Sequence, residues 1–220
     1  MSNATFYGEL REKTDPLWEA MFHHPFVTGI GDGTLPRDRF EFYLKQDYVY
    51  LIDFSRVFAL ASAKSPTPGE MGTFANLLHA TLNTEMELHR KTSAAFGIAE
   101  QELATTRKRP VTSAYTDLLV RTAYEGDLSD ILAVLLPCAC GYVEIGKRLK
   151  SAGLPEDRFY RDWIDTYASP EFQEFADWLI GRMNEHAADA PAHRRERWHR
   201  LYESSARYEY LFFDMSWKKE

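Results

Sequence analysis

Apolar residues recur along this chain at steps of three and four rather than in alternation, the period of helices and not of strands. The clearest run is Phe40, Leu44, Asp47, Leu51, Phe54 and Phe58, spaced 4, 3, 4, 3, 4. It forms one core-facing seam, and one of its members is an aspartate. Tyr43 and Tyr50 share the face of Asp47 at i−4 and i+3. Near the C-terminus Tyr202, Ser205, Glu209, Phe212 and Ser216 repeat the pattern at 3, 4, 3, 4, with a glutamate among aromatics. The periodicity predicts helices over 5–24, 36–64, 68–97, 110–125, 128–151, 156–167, 170–188 and 192–217. Several are long and their connections short, which describes an all-α antiparallel helical bundle. The segment "GIGDGTLP" (Gly29 to Pro36) reads as a loop feeding a helix, with Pro36 placed for a first turn. Its glycines follow no strand, so it makes a weak phosphate loop. With no internal repeat and no splitting linker, 1–220 reads as a single domain.

A carboxylate inside an apolar seam costs on the order of several kcal/mol unless it gains a partner. Asp47 and Glu209 therefore stand out. Either each is satisfied structurally, Asp47 by a neighbouring tyrosine, or the two mark a polar pocket of the kind bundles build from facing helices. An apolar pocket would raise a carboxyl pKa toward neutrality, which suits general acid–base work.

The most apolar stretch, "AVLLPCACGYVEIG" (Ala133 to Gly146), carries both cysteines. Residues two apart on an α-helix differ by about 200°, so Cys138 and Cys140 point to opposite sides. Cys138 shares its face with Leu135, Tyr142 and Ile145; Cys140 shares its own with Leu136 and Glu144. Pro137 lacks an N–H and frees the carbonyl of Ala133 beside the first thiol. A buried cysteine often serves only as a small hydrophobe, and spacing alone does not choose between the two sulfurs.

Composition narrows the picture. The 220 residues are 45% apolar, enough for a sizeable core. The net charge of −7 gives no electrostatic footprint for nucleic acid, and the basic run "HRRERWHR" (His193 to Arg200) reads as a solvated helix face. The N-terminal residues contain no apolar h-region, and the apolar run from Ile131 to Val143 is too short for a membrane span. The expectation is a soluble, cytoplasmic protein with reduced thiols. A di-iron bundle needs repeated Glu/His sets. Here Glu196 with His199 forms one Glu-x-x-His, and Glu85 with His89 forms one i,i+4 pair on what reads as a charged helix face. No second set matches, so the spacing does not supply a di-iron ligand set.

Six segments in order change the weighting: "HPFVTGIGDGTLPRDRFEFYLKQDYVYL" (His24 to Leu51), "TEMELHRK" (Thr84 to Lys91), "SAYTDLL" (Ser113 to Leu119), "LPCACGYVEIG" (Leu136 to Gly146), "WIDTYASPEF" (Trp163 to Phe172) and "RYEYLFFDMSW" (Arg207 to Trp217). Together they resemble the thiaminase II (TenA) family, of haem-oxygenase-like fold, over nearly the whole chain. The resemblance implies a nucleophilic Cys138, an acid–base Glu209, a substrate-holding Asp47, and pocket tyrosines at Tyr50, Tyr115, Tyr142 and Tyr167. It implies cofactor-free hydrolysis of a thiamine-derived aminopyrimidine in thiamine salvage, with cleavage of thiamine itself in some members, in a homotetramer. One departure is local. Many members carry a bulky residue where this chain has Cys140, and Gly141 is small too, so the side of the helix opposite Cys138 is expected to be less crowded. Two rivals stand beside this reading: a di-iron or haem oxidase on the same fold, and a non-enzymatic helical interaction protein.

Overall fold

The computed structural model describes residues 5–220, and among them every regular element is helical. The elements are α1 (Phe6–Phe22), α2 (Pro25–Asp32), α3 (Arg37–Lys64), α4 (Pro68–Ala80), a π-helical turn (Thr81–Glu85), α5 (Met86–Ala95), α6 (Glu100–Thr105), α7 (Pro110–Glu125), α8 (Leu128–Ala152), α9 (Arg158–Tyr167), α10 (Pro170–Ala187) and α11 (Ala192–Lys218). The described residues fall into two compact units, one of residues 5–35 and 132–217 and the other of residues 36–131 with 218–220.

In the first unit, α1 packs on α2 and α10, and α9 on α2 and α10. Helix α8 enters this unit at Leu132 and brings its most apolar residues. By length and composition α8 would suffice to cross a membrane, yet 89% of its most apolar window is buried within the fold, as in a core helix. The second unit is organised around α3, against which α4, α5, α6 and α7 all pack. Both predicted seams are buried in full: Phe40, Leu44, Asp47, Leu51, Phe54 and Phe58 on α3, and Tyr202, Ser205, Glu209, Phe212 and Ser216 on α11.

Local chemistry explains most helix boundaries. Thr5, Thr67, Asp157 and Ser169 each accept a backbone N–H as N-caps. Asp127 and Asp130 cap the start of α8 reciprocally, each carboxylate accepting the other's backbone N–H at 3.1 and 3.3 Å. Three boundaries depart from the periodic reading. The first predicted helix stops at Phe22, and His24 starts a second one by accepting the N–H of Phe26 on Nδ1 at 3.1 Å. That second helix includes Gly29–Asp32, so only the end of "GIGDGTLP" is loop, its turn made by Gly33 at φ 77. Gly29 and Gly31 are glycines for space: a Cβ on Gly29 would meet Leu35 at 3.1 Å, and one on Gly31 would meet Leu149 of α8 at 2.6 Å. The predicted 68–97 helix is interrupted by the π turn, and the short α6 follows where no helix was expected.

Candidate active site

In the second unit, Asp47 lies in mid-α3, 6% exposed. Its partner is not a tyrosine. Nε2 of His89 on α5 lies 2.9 Å from Oδ2 of Asp47. The pair Glu85–His89 therefore does not form a charged outer face, because His89 is buried against α3. The reason is the π turn. Buried positions run Phe74, Thr81, Met86, His89 and Ser93, and the step of five from Thr81 to Met86 is the extra residue of that turn. An uninterrupted α-helix would have turned Leu88 inward; instead Leu88 is 48% exposed and His89 takes the inner place. Burial pushes Glu85 up to about 7, the Asp47 charge adding while His89 and a hydrogen bond with Thr81 oppose. Burial alone would lower His89, but the Asp47 hydrogen bond and the charges of Asp47 and Glu85 outweigh it and the net shift is upward.

One turn after Asp47, Tyr50 meets Tyr115 of α7 with ring centroids 5.3 Å apart, and both rings are buried. Gln46, beside Asp47 in sequence, fixes the start of α7. Its Oε1 accepts from the Arg109 N–H at 2.8 Å and from Thr112 Oγ1 at 2.7 Å, and its Nε2 donates to the Arg107 carbonyl at 3.1 Å. Three hydrogen bonds from one buried amide set the position from which Tyr115 projects.

In the first unit, Tyr142 of α8 and Tyr167 of α9 lie 4.5 Å apart by ring centroids, with Trp163 4.7 Å from Tyr167 and Phe213 5.8 Å from Tyr142. Gly146 permits this. A Cβ there would stand 2.8 Å from the backbone of Tyr167 and Ala168, so only glycine lets α8 pass this close to the end of α9. Glu209 is 3% exposed on α11. Helices α11 and α8 are joined by Ser205, whose Oγ donates to the Val134 carbonyl at 2.7 Å, one turn before Cys138. Helix α8 continues through Pro137.

The two sulfurs sit in different surroundings, as helical geometry requires. Cys138 is partly exposed and Cys140 is buried. Around Cys140 are Tyr7, within hydrogen-bonding reach, and Arg11 and Glu144; burial pushes its thiol up to about 12, the Tyr7 hydrogen bond opposing. Such a thiol stays protonated at neutral pH. The neighbouring surface is not open, contrary to expectation. The indole of Trp18 lies over Gly141, where a Cβ would come within 2.7 Å of it, and Trp18 Nε1 donates to Thr14 Oγ1 at 3.0 Å. The bulk missing from α8 is supplied by α1. Gly141→Ala is therefore expected to lower the unfolding free energy by about 1–3 kcal/mol, the range for overpacking a filled core, measured as a lower denaturation midpoint with an unchanged m-value.

The remaining candidate metal pair does not form a ligand set. Glu196 pairs with Arg200, and His199 stands edge-on to the Phe6 ring at 5.2 Å. Among the described residues no group of three or more His, Cys, Asp or Glu side chains is arranged to hold a metal ion. In the basic run, Arg195 is engaged with both carboxylate oxygens of Glu9 at 2.8 Å, while Trp198 is its buried member.

The profile of the TENA/THI-4/PQQC family matches residues 11–219. The chain belongs to this family. A relative in Halalkalibacterium halodurans, named aminopyrimidine aminohydrolase, is 43% identical over 98% of this chain and 96% of its own length. A solved structure from Silicibacter sp. TM1040, described as a TenA family transcription regulator, is 38% identical and covers 96% of each chain with a TM-score of 0.87. The fold extends further. A domain of unknown function from Shewanella denitrificans, described as heme oxygenase-like, shares 14% identity at a TM-score of 0.73 over 97% of this chain and 92% of its own. The all-α, haem-oxygenase-like expectation holds.

Proposed function

We propose that this protein is an aminopyrimidine aminohydrolase of thiamine salvage, converting 4-amino-5-aminomethyl-2-methylpyrimidine to the 5-hydroxymethyl compound and ammonia. The observation that carries this reading is similarity along almost the whole of a relative bearing that name, joined to a chain that holds the residue types the reaction needs. The matched span also supports treating the chain as one functional domain.

In the proposed mechanism each of these residues has one role. Asp47 accepts from the exocyclic amine and shares a proton with a ring nitrogen, which makes the ring carbons electrophilic. Tyr50, Tyr115, Tyr142 and Tyr167 offer flat apolar faces with hydroxyl rims to a flat heterocycle. The Cys138 thiolate adds to a ring carbon, forming the S–C bond and placing an electron pair in the ring. That pair expels the aminomethyl nitrogen, which takes a proton from Glu209 and leaves as ammonia. Water adds to the resulting methylene and returns a proton to Glu209. The S–C bond then breaks, regenerating Cys138 and the aromatic ring. The net change is water in and ammonia out, with no cofactor needed.

The description of one relative as a transcription regulator raises a second reading. The net charge of −7 speaks against a phosphate-binding face, as does the pairing of Arg195 with Glu9 inside the basic run. A homotetramer, implied by the family resemblance, could cover Met71, Leu82 and Leu88, large apolar residues left 43–48% exposed along α4, the π turn and α5. The cytoplasm fits reduced cysteines. The deciding assay incubates purified protein with the aminomethylpyrimidine and follows ammonia and the hydroxymethyl product, with thiamine as a parallel substrate. Stoichiometric release of both products is expected; an inert protein refutes the reading.

A further inference from the structure

Outside the residues assigned above, the most unusual chemistry in the second unit is at His89. His89 on α5, Asp47 on α3 and Glu85 at the end of the π turn interact within the second unit, and the extra residue of that turn is what turns His89 inward. Asp47 and His89 are both more than nine-tenths buried, and their contact is a single hydrogen bond of 2.9 Å. Only Oδ2 of Asp47 is engaged in that ion pair. Nδ1 of His89 has no hydrogen-bond partner among the described residues, and Glu85 one turn earlier acts on the ring by its charge. A π turn costs helix regularity, and such turns concentrate where a side chain must be re-aimed for function. A regular helix over Thr81–Glu85 would have placed Leu88 inward, a simpler core residue than a histidine that must be paired with a buried acid.

We propose that His89 is a positioning residue for Asp47: its Nε2–H holds Oδ2 and fixes the carboxylate rotamer, so that Oδ1 is presented to the aminopyrimidine edge. This rests on the functional reading above, in which Asp47 receives the substrate. Holding a carboxylate in place in advance spares the substrate the cost of ordering it. Glu85 is the third member, one turn from the imidazole, and its charge adds to that of Asp47 in raising the proton affinity of the ring. The side chain's function is thus to set the geometry of another residue, not to touch substrate.

The test measures steady-state kinetics on 4-amino-5-aminomethyl-2-methylpyrimidine for wild type, His89→Leu, His89→Gln, Asp47→Asn and the His89→Leu/Asp47→Asn double variant, each with its thermal midpoint. His89→Leu is expected to raise KM by about tenfold or more, the scale of one lost charge-assisted hydrogen bond, with kcat changed less. His89→Gln, which restores a donor, should recover most of that loss. The double variant should be little worse than Asp47→Asn alone, because the two residues act as a unit. A merely structural His89 would lower the midpoint and the active fraction while leaving KM unchanged, and that result overturns the proposal. So does a double variant whose losses multiply. If His89→Leu does not fold, the decision passes to ¹⁵N-histidine NMR of the wild type and of Asp47→Asn. A downfield Nε2–H proton present in wild type and lost in Asp47→Asn supports the pairing, and its absence from wild type overturns it. A folded wild type that turns over no aminopyrimidine refutes the functional reading, and this inference with it; an active wild type beside an unaltered His89→Leu refutes this inference alone.

Discussion

Cys138→Ser is expected to reduce aminopyrimidine turnover by on the order of a thousandfold or more, as removal of a nucleophile does elsewhere, while Cys140→Ser keeps activity within about threefold of wild type. The asymmetry follows from α8. The two sulfurs are about 200° apart around one helix, and only Cys138 is partly exposed. Cys140 is packed beneath α1 with Tyr7, Arg11 and Glu144 around it, and its thiol is driven up to about 12 by burial. A thiol that seldom ionises at neutral pH is a poor nucleophile. Ser is smaller and more polar than Cys, so Cys140→Ser is expected to cost stability, about 1–2 kcal/mol for burying a hydroxyl in place of a thiol. The thermal midpoint should fall in Cys140→Ser, whereas kcat should fall in Cys138→Ser. Turnover lost in Cys140→Ser and retained in Cys138→Ser would reverse the assignment. Iodoacetamide labelling of native protein followed by peptide mass analysis gives an independent reading, with modification at Cys138 well ahead of Cys140.

What the sequence made legible depended on whether helices ran without interruption. On α3 an unbroken 3.6-residue period carried Asp47 and Tyr50 to the inner face, and the structure buries every member of that seam. The Glu209 seam on α11 was readable for the same reason. The placement of His89 is not legible, because the π turn shifts the phase of everything after Thr81 and a pattern projected from α4 puts the wrong residues inside. The glycines of α2 read as turn signals, whereas Gly29 and Gly31 are small to admit Leu35 and Leu149. The filling of the Gly141 surface by Trp18 joins residues far apart in sequence, and no local period reports such a contact. Spacing does not separate Cys138 from Cys140 either: the family resemblance implies Cys138, and the burial of Cys140 agrees with it.

Glu209→Gln should lower kcat by about 10²–10⁴-fold, the usual contribution of a general acid–base group, and move KM by no more than a few-fold. Glutamine has nearly the same shape and keeps a hydrogen-bonding end, so the 3% exposed position on α11 should remain filled. What glutamine lacks is a transferable proton. In the proposed reaction Glu209 acts twice, giving a proton to the departing amine and taking one from the attacking water. The variant therefore loses both steps while retaining the tyrosines and Asp47 that would bind the ring, so the loss belongs to kcat. The order of events supplies a sharper check. If the leaving nitrogen needs Glu209, a substrate whose leaving group departs without protonation should suffer less from Glu209→Gln than the aminomethyl compound. Thiamine is such a substrate, because its thiazolium nitrogen leaves as a neutral thiazole. With thiamine the variant should still release the thiazole in a single turnover but stall before water addition, leaving a covalent pyrimidine adduct on Cys138 visible by intact mass. Equal losses of thiazole release and of ammonia release would place Glu209 outside proton donation to the leaving group. A KM increase without a kcat loss would make it a binding residue instead.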